Sequence, residues 1–350
     1  MPRTYRKYDH LHYALKQGIN SADFDDCELV HQSIPDVDYN NIDLVTSMAG
    51  IKLNLPFFIN AITGGAPDTK KINHALAAAA KEAGIAMAVG SQTAALENNE
   101  LKETFKVVRD VYPDGVIFAN IGAYADTDMA KRAVDMIKAD ALQVHLNVPQ
   151  ELIMTEGDRN FKGHYKNIRN MVKELGIPVI VKEVGFGMSR ETARILLDNG
   201  VQVLDVGGYG GTNFVKIEAA RRGLELDEEL LNWGIPTLIS LVEVLETAGE
   251  KAQVISSGGV NNSFNIIKSL SLGAAACSAA GLPVKIIVEQ GEEAFVEWIK
   301  NLKVSLKQIM TMVGASNLEQ LREKPLVIRG KTAEWLEKRG IDIKKFCQRV

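Results

Sequence analysis

Lys182 closes an otherwise apolar run, residues 178–184 (PVIVKEV). An ammonium group in that setting is costly unless negative charge meets it. An anionic ligand such as a reduced flavin would supply the charge, and so would a pair with Glu183 or another carboxylate. His145 likewise sits in an apolar run, 141–146 (ALQVHL), with Asn147, Gln150 and Glu151 close behind. Glu151 is a hard oxygen donor of the kind Mg²⁺ combines with substrate phosphates. Gln150 is neutral and can orient groups or assist a proton transfer. His145 reads equally well as a histidine satisfied in the core. Near the start of the chain, Arg6, Lys7, Asp9 and His10 form a basic cluster with one carboxylate. On a helix Arg6 and His10 share a face, which suits an anion and equally a solvated helix start. No Cys–His or Asp–His pair stands out among the candidate pocket residues.

Three loops are rich in small residues: 207–212 (GGYGGT), 256–259 (SSGG) and 279–281 (AAG). Small residues expose backbone N–H groups to an anion. A simple turn would use the same residues.

The elements that must position these groups repeat through the chain. Short apolar runs occupy 55–61, 85–90, 116–121, 141–146, 178–184, 202–207, 253–258 and 274–278. Continuous apolar runs of this length read as strands buried on both faces of a parallel sheet. Amphipathic stretches at 72–84, 128–138, 165–176, 189–200 and 263–273 lie between them, and Gly84, Gly176, Gly200 and Gly273 supply stops. Ser189 and Asn262 offer short polar side chains for helix entry. Eight β/α units in this span predict an α/β fold of the (β/α)₈ barrel type. An open doubly wound sheet would call for GxGxxG after the first strand, and ITGGAP follows instead. Strand C-terminal ends then carry the active residues, and the glycine-rich loops at 256–259 and 279–281 follow the seventh and eighth strands, where phosphate sites of this fold are often built.

The sequence has 350 residues, and no low-complexity linker divides it. One domain is expected: an N-terminal extension over 1–54, helical over 1–20 and extended over 28–54; a barrel core over 55–285; and a C-terminal extension over 286–350 that opens on a long helix over 289–313. The 40 basic residues nearly balance the 44 acidic ones, which gives no electrostatic reason to expect nucleic acid or an anionic membrane as partner. No apolar run is long enough to span a bilayer, and the N-terminus lacks the apolar stretch of a secretory signal. Three widely spaced cysteines make no CxxC pair, so a reducing cytoplasm is expected.

The set Arg6-Lys7-x-Asp9-His10, INAITGG (59–65), AVGSQ (88–92), HLNVPQE (145–151), EGDRNF (156–161), VKEVGFGMS (181–189), GGTNF (210–214), NWGIPT (232–237) and SSGG (256–259) resembles the type 2 isopentenyl-diphosphate isomerases. The likeness runs from about residue 5 to about 313. It implies an FMN-dependent (β/α)₈ barrel that interconverts isopentenyl diphosphate and dimethylallyl diphosphate, with Mg²⁺ and with FMN reduced by NADPH or NADH. It implies Arg6, Lys7 and His10 on the diphosphate, and Ser91, Gln92, Thr93, His145, Asn147 and Gln150 along the substrate. Gln150 would also act in the allylic proton shift, and Glu151 would hold Mg²⁺. Ala61, Ile62, Thr63, Gly64, Ser91, Asn120, Lys182 and Thr212 would bind FMN, with Gly258, Gly259, Val260, Ala279 and Ala280 around its phosphate. Thr93 stands where many members carry arginine. The resemblance further implies a homo-oligomer, a tetramer or octamer. Two other readings stay open: a non-catalytic FMN or phosphometabolite sensor, and another FMN-dependent barrel oxidoreductase. A 2-hydroxy-acid oxidase would need a catalytic His and a substrate-binding Arg late in the barrel, and residues 253–290 hold neither.

Overall fold

The computed structural model describes Asp9, residues 12–16 and residues 20–349. Eight parallel strands close into a barrel: β1 Phe57–Ile59, β2 Met87–Ala88, β3 Ile117–Gly122, β4 Ala141–His145, β5 Val179–Lys182, β6 Val203–Asp205, β7 Gln253–Ser256 and β8 Ala276–Ala279. Each strand falls on one of the eight apolar runs, with Gly122 and Ala279 extending one residue past theirs. Helices α1 Thr69–Ala83, α2 Glu103–Val111, α3 Thr127–Ile137, α4 His164–Glu174, α5 Arg190–Asp198, α6 Thr237–Ala248, α7 Ser263–Leu272 and α8 Glu292–Val313 follow the strands in turn. Ser189 caps α5 by accepting from Thr192 N–H, and Asn262 caps α7 from Asn265 N–H.

The strands are buried on both faces, and their period of two sorts side chains into layers. Phe58, Phe118, Ala141, Ile180, Val203, Ile255 and Ala276 point inward and form one apolar layer. Alternate residues, such as Phe57, Ile117, Leu142, Val181, Leu204 and Cys277, face the helices and join the larger core. Two residues beyond the inner apolar layer, the inward positions turn polar: Asn60, Asn120, Gln143, Lys182, Asp205 and Ser278, all buried. The barrel is therefore oil at one end and hydrogen-bonding groups at the other.

The extended stretch expected over 28–54 contains a hairpin, Thr46–Met48 paired antiparallel with Ile51–Leu53. Ala49 and Gly50 turn it with positive φ values, as a two-residue hairpin requires. Met48 and Leu53 pack onto the inner apolar layer, so the hairpin plugs the barrel end away from the polar layer. Ala49 N–H donates to Gln253 Oε1 at 2.6 Å, and Thr46 Oγ1 donates to the Ala275 carbonyl. The two extensions meet: Cys27–Leu29 pairs antiparallel with Leu326–Ile328. The boundary expected at 285 falls inside helix Gly281–Gln290, so the barrel leads into its C-terminal extension without a break there.

Candidate active site

A cavity opens at the C-terminal ends of the strands. Strand register sets its floor. Gly122 pairs with His145, His145 with Lys182, and Lys182 with Asp205, which places four strand ends in one row. A hydrogen-bond chain crosses that floor. Asn60 Nδ2 donates to Asp205 Oδ2 and to Ser278 Oγ, both at 2.8 Å. Gln143 Nε2 donates to Asn60 Oδ1 at 3.0 Å, Asn120 Nδ2 donates to Gln143 Oε1 at 3.2 Å, and His145 Nδ1 lies 3.0 Å from Asn120 Oδ1. Each amide is thereby fixed in one orientation. A buried network of this kind is rigid because every member is satisfied.

Lys182 projects from this floor. It is 5% exposed, and its ammonium donates to the Glu183 carbonyl at 2.8 Å. Burial pushes its pKa down, while Asp205 and Glu183 oppose the shift. Burial likewise pushes the Glu183 carboxyl up, to about 7, against the Val184 and Phe186 N–H groups and Lys182, which favour the charged form.

The short helix Val148–Ile153 carries Gln150 and Glu151 to the wall. Glu218, fully buried on helix Phe214–Arg222, accepts from Arg221 Nε at 2.8 Å and from Gln150 Nε2 at 3.2 Å. With its nitrogen on Glu218, Gln150 turns Oε1 toward Asn147 Nδ2 at 2.5 Å. Asn147 Oδ1 is then left buried with no hydrogen-bond partner among the described residues. An orphaned acceptor on a cavity wall is what a ligand's donor would satisfy. Glu151 is braced from behind: its Oε2 accepts from Asp158 N–H at 2.9 Å, and Arg159 donates to its carbonyl. The Cβ that any other residue would carry at Gly157 would lie 2.0 Å from the Glu151 carbonyl oxygen, so the 156–161 loop closes on Glu151 only with glycine there.

The phosphate-type loops behave differently from the simple expectation that glycine leaves space for an anion. A Cβ on Gly258 would sit 2.1 Å from the Gly208 carbonyl oxygen, and one on Gly259 would sit 2.2 Å from that of Gly210. Both residues also have positive φ. These glycines let the 207–212 and 256–259 loops stack backbone to backbone, and the stacked pair lines the cavity beside the start of helix Gly281–Gln290.

Among the described residues, the cavity gathers most of the candidates. Ala61, Ile62, Thr63, Gly64, Ser91, Asn120, Lys182 and Thr212 line it, as do Gly258, Gly259, Ala279 and Ala280. So do Thr93, His145, Asn147, Gln150 and Glu151. Thr93 Oγ1 lies 2.7 Å from the Tyr124 hydroxyl and 3.2 Å from Ser91 Oγ. Two candidates are turned away. Gln92 is fully buried; its Oε1 accepts from Asn120 N–H at 3.0 Å and its Nε2 donates to the Ala133 carbonyl at 2.9 Å, so it ties β3 to α3. Val260 is buried in the outer core. Arg6, Lys7 and His10 lie outside the described residues; Ala14 and Leu15 of the helical residues 12–16 line the cavity. Sequence reasoning read Asn60 as a strand-end position without giving it a role, and passed over Gln143, Asp205 and Glu218; it thus missed the part played by Asn60, Gln143, Asp205 and Glu218. The first three were visible as polar residues inside apolar runs, the signal that singled out Lys182. Glu218 had no such signal, being one charge on a short helix.

Comparison with known proteins now decides the family. A Geobacillus isopentenyl-diphosphate delta-isomerase is 50% identical over 351 residues, covering 100% of each chain. The chain belongs to the isopentenyl-diphosphate delta-isomerase family. The isopentenyl-diphosphate delta-isomerase of Moorella thermoacetica is 48% identical, covering 96% of this chain and 97% of that protein, and that of Symbiobacterium thermophilum is 43% identical, covering 99% and 98%. Residues 139–328 match the family model described as FMN-dependent dehydrogenase, which supports the use of FMN on this barrel. Among solved structures, mandelate oxidase is similar with a TM-score of 0.62 and 14% identity, over 91% of this chain and 97% of that one. That likeness concerns the fold alone.

Proposed function

We propose that this member of the isomerase family interconverts isopentenyl diphosphate and dimethylallyl diphosphate by a 1,3-allylic proton shift, with FMN and Mg²⁺ held at the cavity. One observation carries the reading: Gln150 and Glu151, neighbours on one short helix, line the same cavity as the buried Lys182 and the stacked glycine loops.

The residues present fit a flavin nucleotide. Lys182 offers a buried cation for an anionic ring, and the backbone of 61–64 forms the adjoining wall. The stacked loops and the start of helix Gly281–Gln290 turn N–H groups and small residues toward a phosphate. FMN in its reduced form supplies an electron-rich ring against positive charge developing on the substrate carbons. The chain's own residues do the rest. Glu218 and Asn147 hold the Gln150 amide in one orientation, so that Oε1 is the atom able to take part when a proton moves at an allylic carbon. The floor network keeps His145 and Asn120 in place. NADPH or NADH would serve as reductant, and the absence of net redox change means that it is needed to prime the cofactor only.

Among the described residues no group of three or more His, Cys, Asp or Glu side chains could hold a metal. Mg²⁺ does not need such a cage when a substrate diphosphate completes its oxygen shell. Glu151, braced by the 156–161 loop, is the protein ligand we assign. Arg6, Lys7 and His10 would take the remaining diphosphate charge.

No described helix is long and apolar enough to cross a membrane. All three cysteines are free thiols, which supports a cytoplasmic enzyme, and we read it as a homo-oligomer of four or eight chains. The decisive test is purified protein with isopentenyl diphosphate, FMN, NADPH and Mg²⁺. Dimethylallyl diphosphate should form, and omission of the reductant or the metal should stop it. A flavin spectrum without isomerisation would instead favour a non-catalytic flavin sensor.

A further inference from the structure

Three ionisable side chains meet where β5 and β6 end, and the charges do not balance. Lys182 brings one positive charge, while Asp205, its register partner, and Glu183, its chain neighbour, bring two carboxyl groups. The two carboxyls are not equivalent. Asp205 is fully buried, and both its oxygens are occupied: Oδ2 accepts from Asn60 Nδ2, and Oδ1 accepts from Ser257 Oγ and Gly207 N–H. Glu183 is 9% exposed and lines the cavity. Its Oε2 accepts from Val184 N–H at 2.8 Å and Phe186 N–H at 3.1 Å. Its Oε1 receives no hydrogen bond from any described residue. An oxygen with no donor is where a carboxyl proton can sit at little cost, and there it can itself donate into the cavity.

We propose that Glu183 is the proton-holding residue of the cofactor pocket, taking a proton from solvent when an anionic ring occupies the place beside Lys182 and returning it when the ring is neutral. This rests on the flavin reading above. With a neutral ring, Lys182 and the two carboxylates leave one excess negative charge. An anionic ring would add a second, in a setting where like charges are poorly screened. Protonation of Glu183 removes one. The step is plain proton binding: the carboxylate gains one proton from water, and no other bond forms or breaks. The charged groups acting on Glu183 are Lys182, the last residue of β5, and Asp205 on β6, with His145 of β4 beyond Lys182 and engaged with Asn120. Burial already places the Glu183 pKa near 7, so an anion nearby moves it within the working range. Glu183 touches no reacting carbon in this scheme; it is a positioning residue for charge.

The test uses the holoenzyme and its Glu183→Gln variant, which keeps an acceptor for the Val184 and Phe186 N–H groups but cannot ionise. The flavin midpoint potential is measured against pH over about 6–9. Above about pH 7 the wild type should take up one more proton per two electrons than the variant. That makes its reduction equilibrium steeper by tenfold per pH unit, about 30 mV for a two-electron couple. Parallel slopes in two FMN-loaded proteins would overturn the proposal and leave the flavin reading intact. A wild type that binds no FMN would overturn both. Should the variant lose its flavin, the wild type alone decides: a protonated-carboxyl band must appear in the reduced-minus-oxidised infrared difference spectrum above pH 7 and shift in D₂O, and its absence overturns the proposal.

Discussion

Gln150 Nε2 lies 3.2 Å from Glu218 Oε1, and that contact decides which way the Gln150 amide faces. Glu218 is itself anchored by Arg221, whose second nitrogen reaches Glu156 at 3.1 Å. Orientation therefore passes from a surface carboxylate through a buried ion pair to one amide oxygen on the cavity wall.

Shortening that side chain should break the arrangement. Gln150→Asn, assayed with fully reduced FMN, should lose about 10²-fold or more in turnover, the usual weight of a positioned proton-transfer group. Turnover near that of the wild type would remove Gln150 from the mechanism.

Glu151→Gln should lose most Mg²⁺-dependent activity yet purify yellow with FMN, because the proposed function gives Glu151 to the metal and not to the flavin. An unchanged Mg²⁺ titration would show that Glu151 is not the metal ligand.

Lys182→Met should weaken binding of reduced FMN more than of oxidised FMN. The difference should be about tenfold or greater, the weight of one charge-assisted hydrogen bond. Equal weakening, read by equilibrium titration of both forms, would mean that Lys182 meets only an uncharged part of the cofactor.

A stability prediction comes from the C-terminal extension. Glu243 on α6 is 1% exposed and accepts from Trp335 Nε1 at 2.9 Å and Arg339 Nε at 2.8 Å. Burial alone would raise its pKa, but the hydrogen bonds from Arg339, Trp335 and the Arg190 N–H outweigh burial and hold it below the usual carboxylate value. A depressed carboxylate contributes stability above its unfolded pKa and loses it as pH falls through the folded value. Glu243→Ala should cost about 2–4 kcal/mol at neutral pH, less in acid, as read by urea unfolding across pH. An unfolding midpoint equal to the wild type's at neutral pH would show that this clasp adds nothing.

The barrel strands were legible because a strand covered on both faces has no polar side to hide, and runs such as 116–121 and 178–184 have few competing explanations. The hairpin at 46–53 was not, because its turn is Ala49-Gly50 and alanine gives no sign of a positive φ. Among the site residues, Lys182 stood out as a charge in an apolar run. Asp205 broke its own run in the same way, yet its importance shows only in the register that sets it opposite Lys182. Gln92 misled because a motif position says which residue is present and not which way its amide points; here both ends bond to buried backbone. Glu183 needed the structure, since its role depends on which carboxylate oxygen is left without a donor.

The pairing of Cys27–Leu29 with Leu326–Ile328 also has a consequence for biosynthesis. The partners lie about 300 residues apart in the sequence, so the strand Cys27–Leu29 waits until residues 326–328 have been made before it has a mate. That segment continues to Ala22, whose N–H donates to the Gly259 carbonyl at 2.8 Å in the loop stack. A nascent chain halted before residue 326 would therefore carry all eight barrel strands while Cys27–Leu29, only a few residues from that tie, still had no strand to pair with.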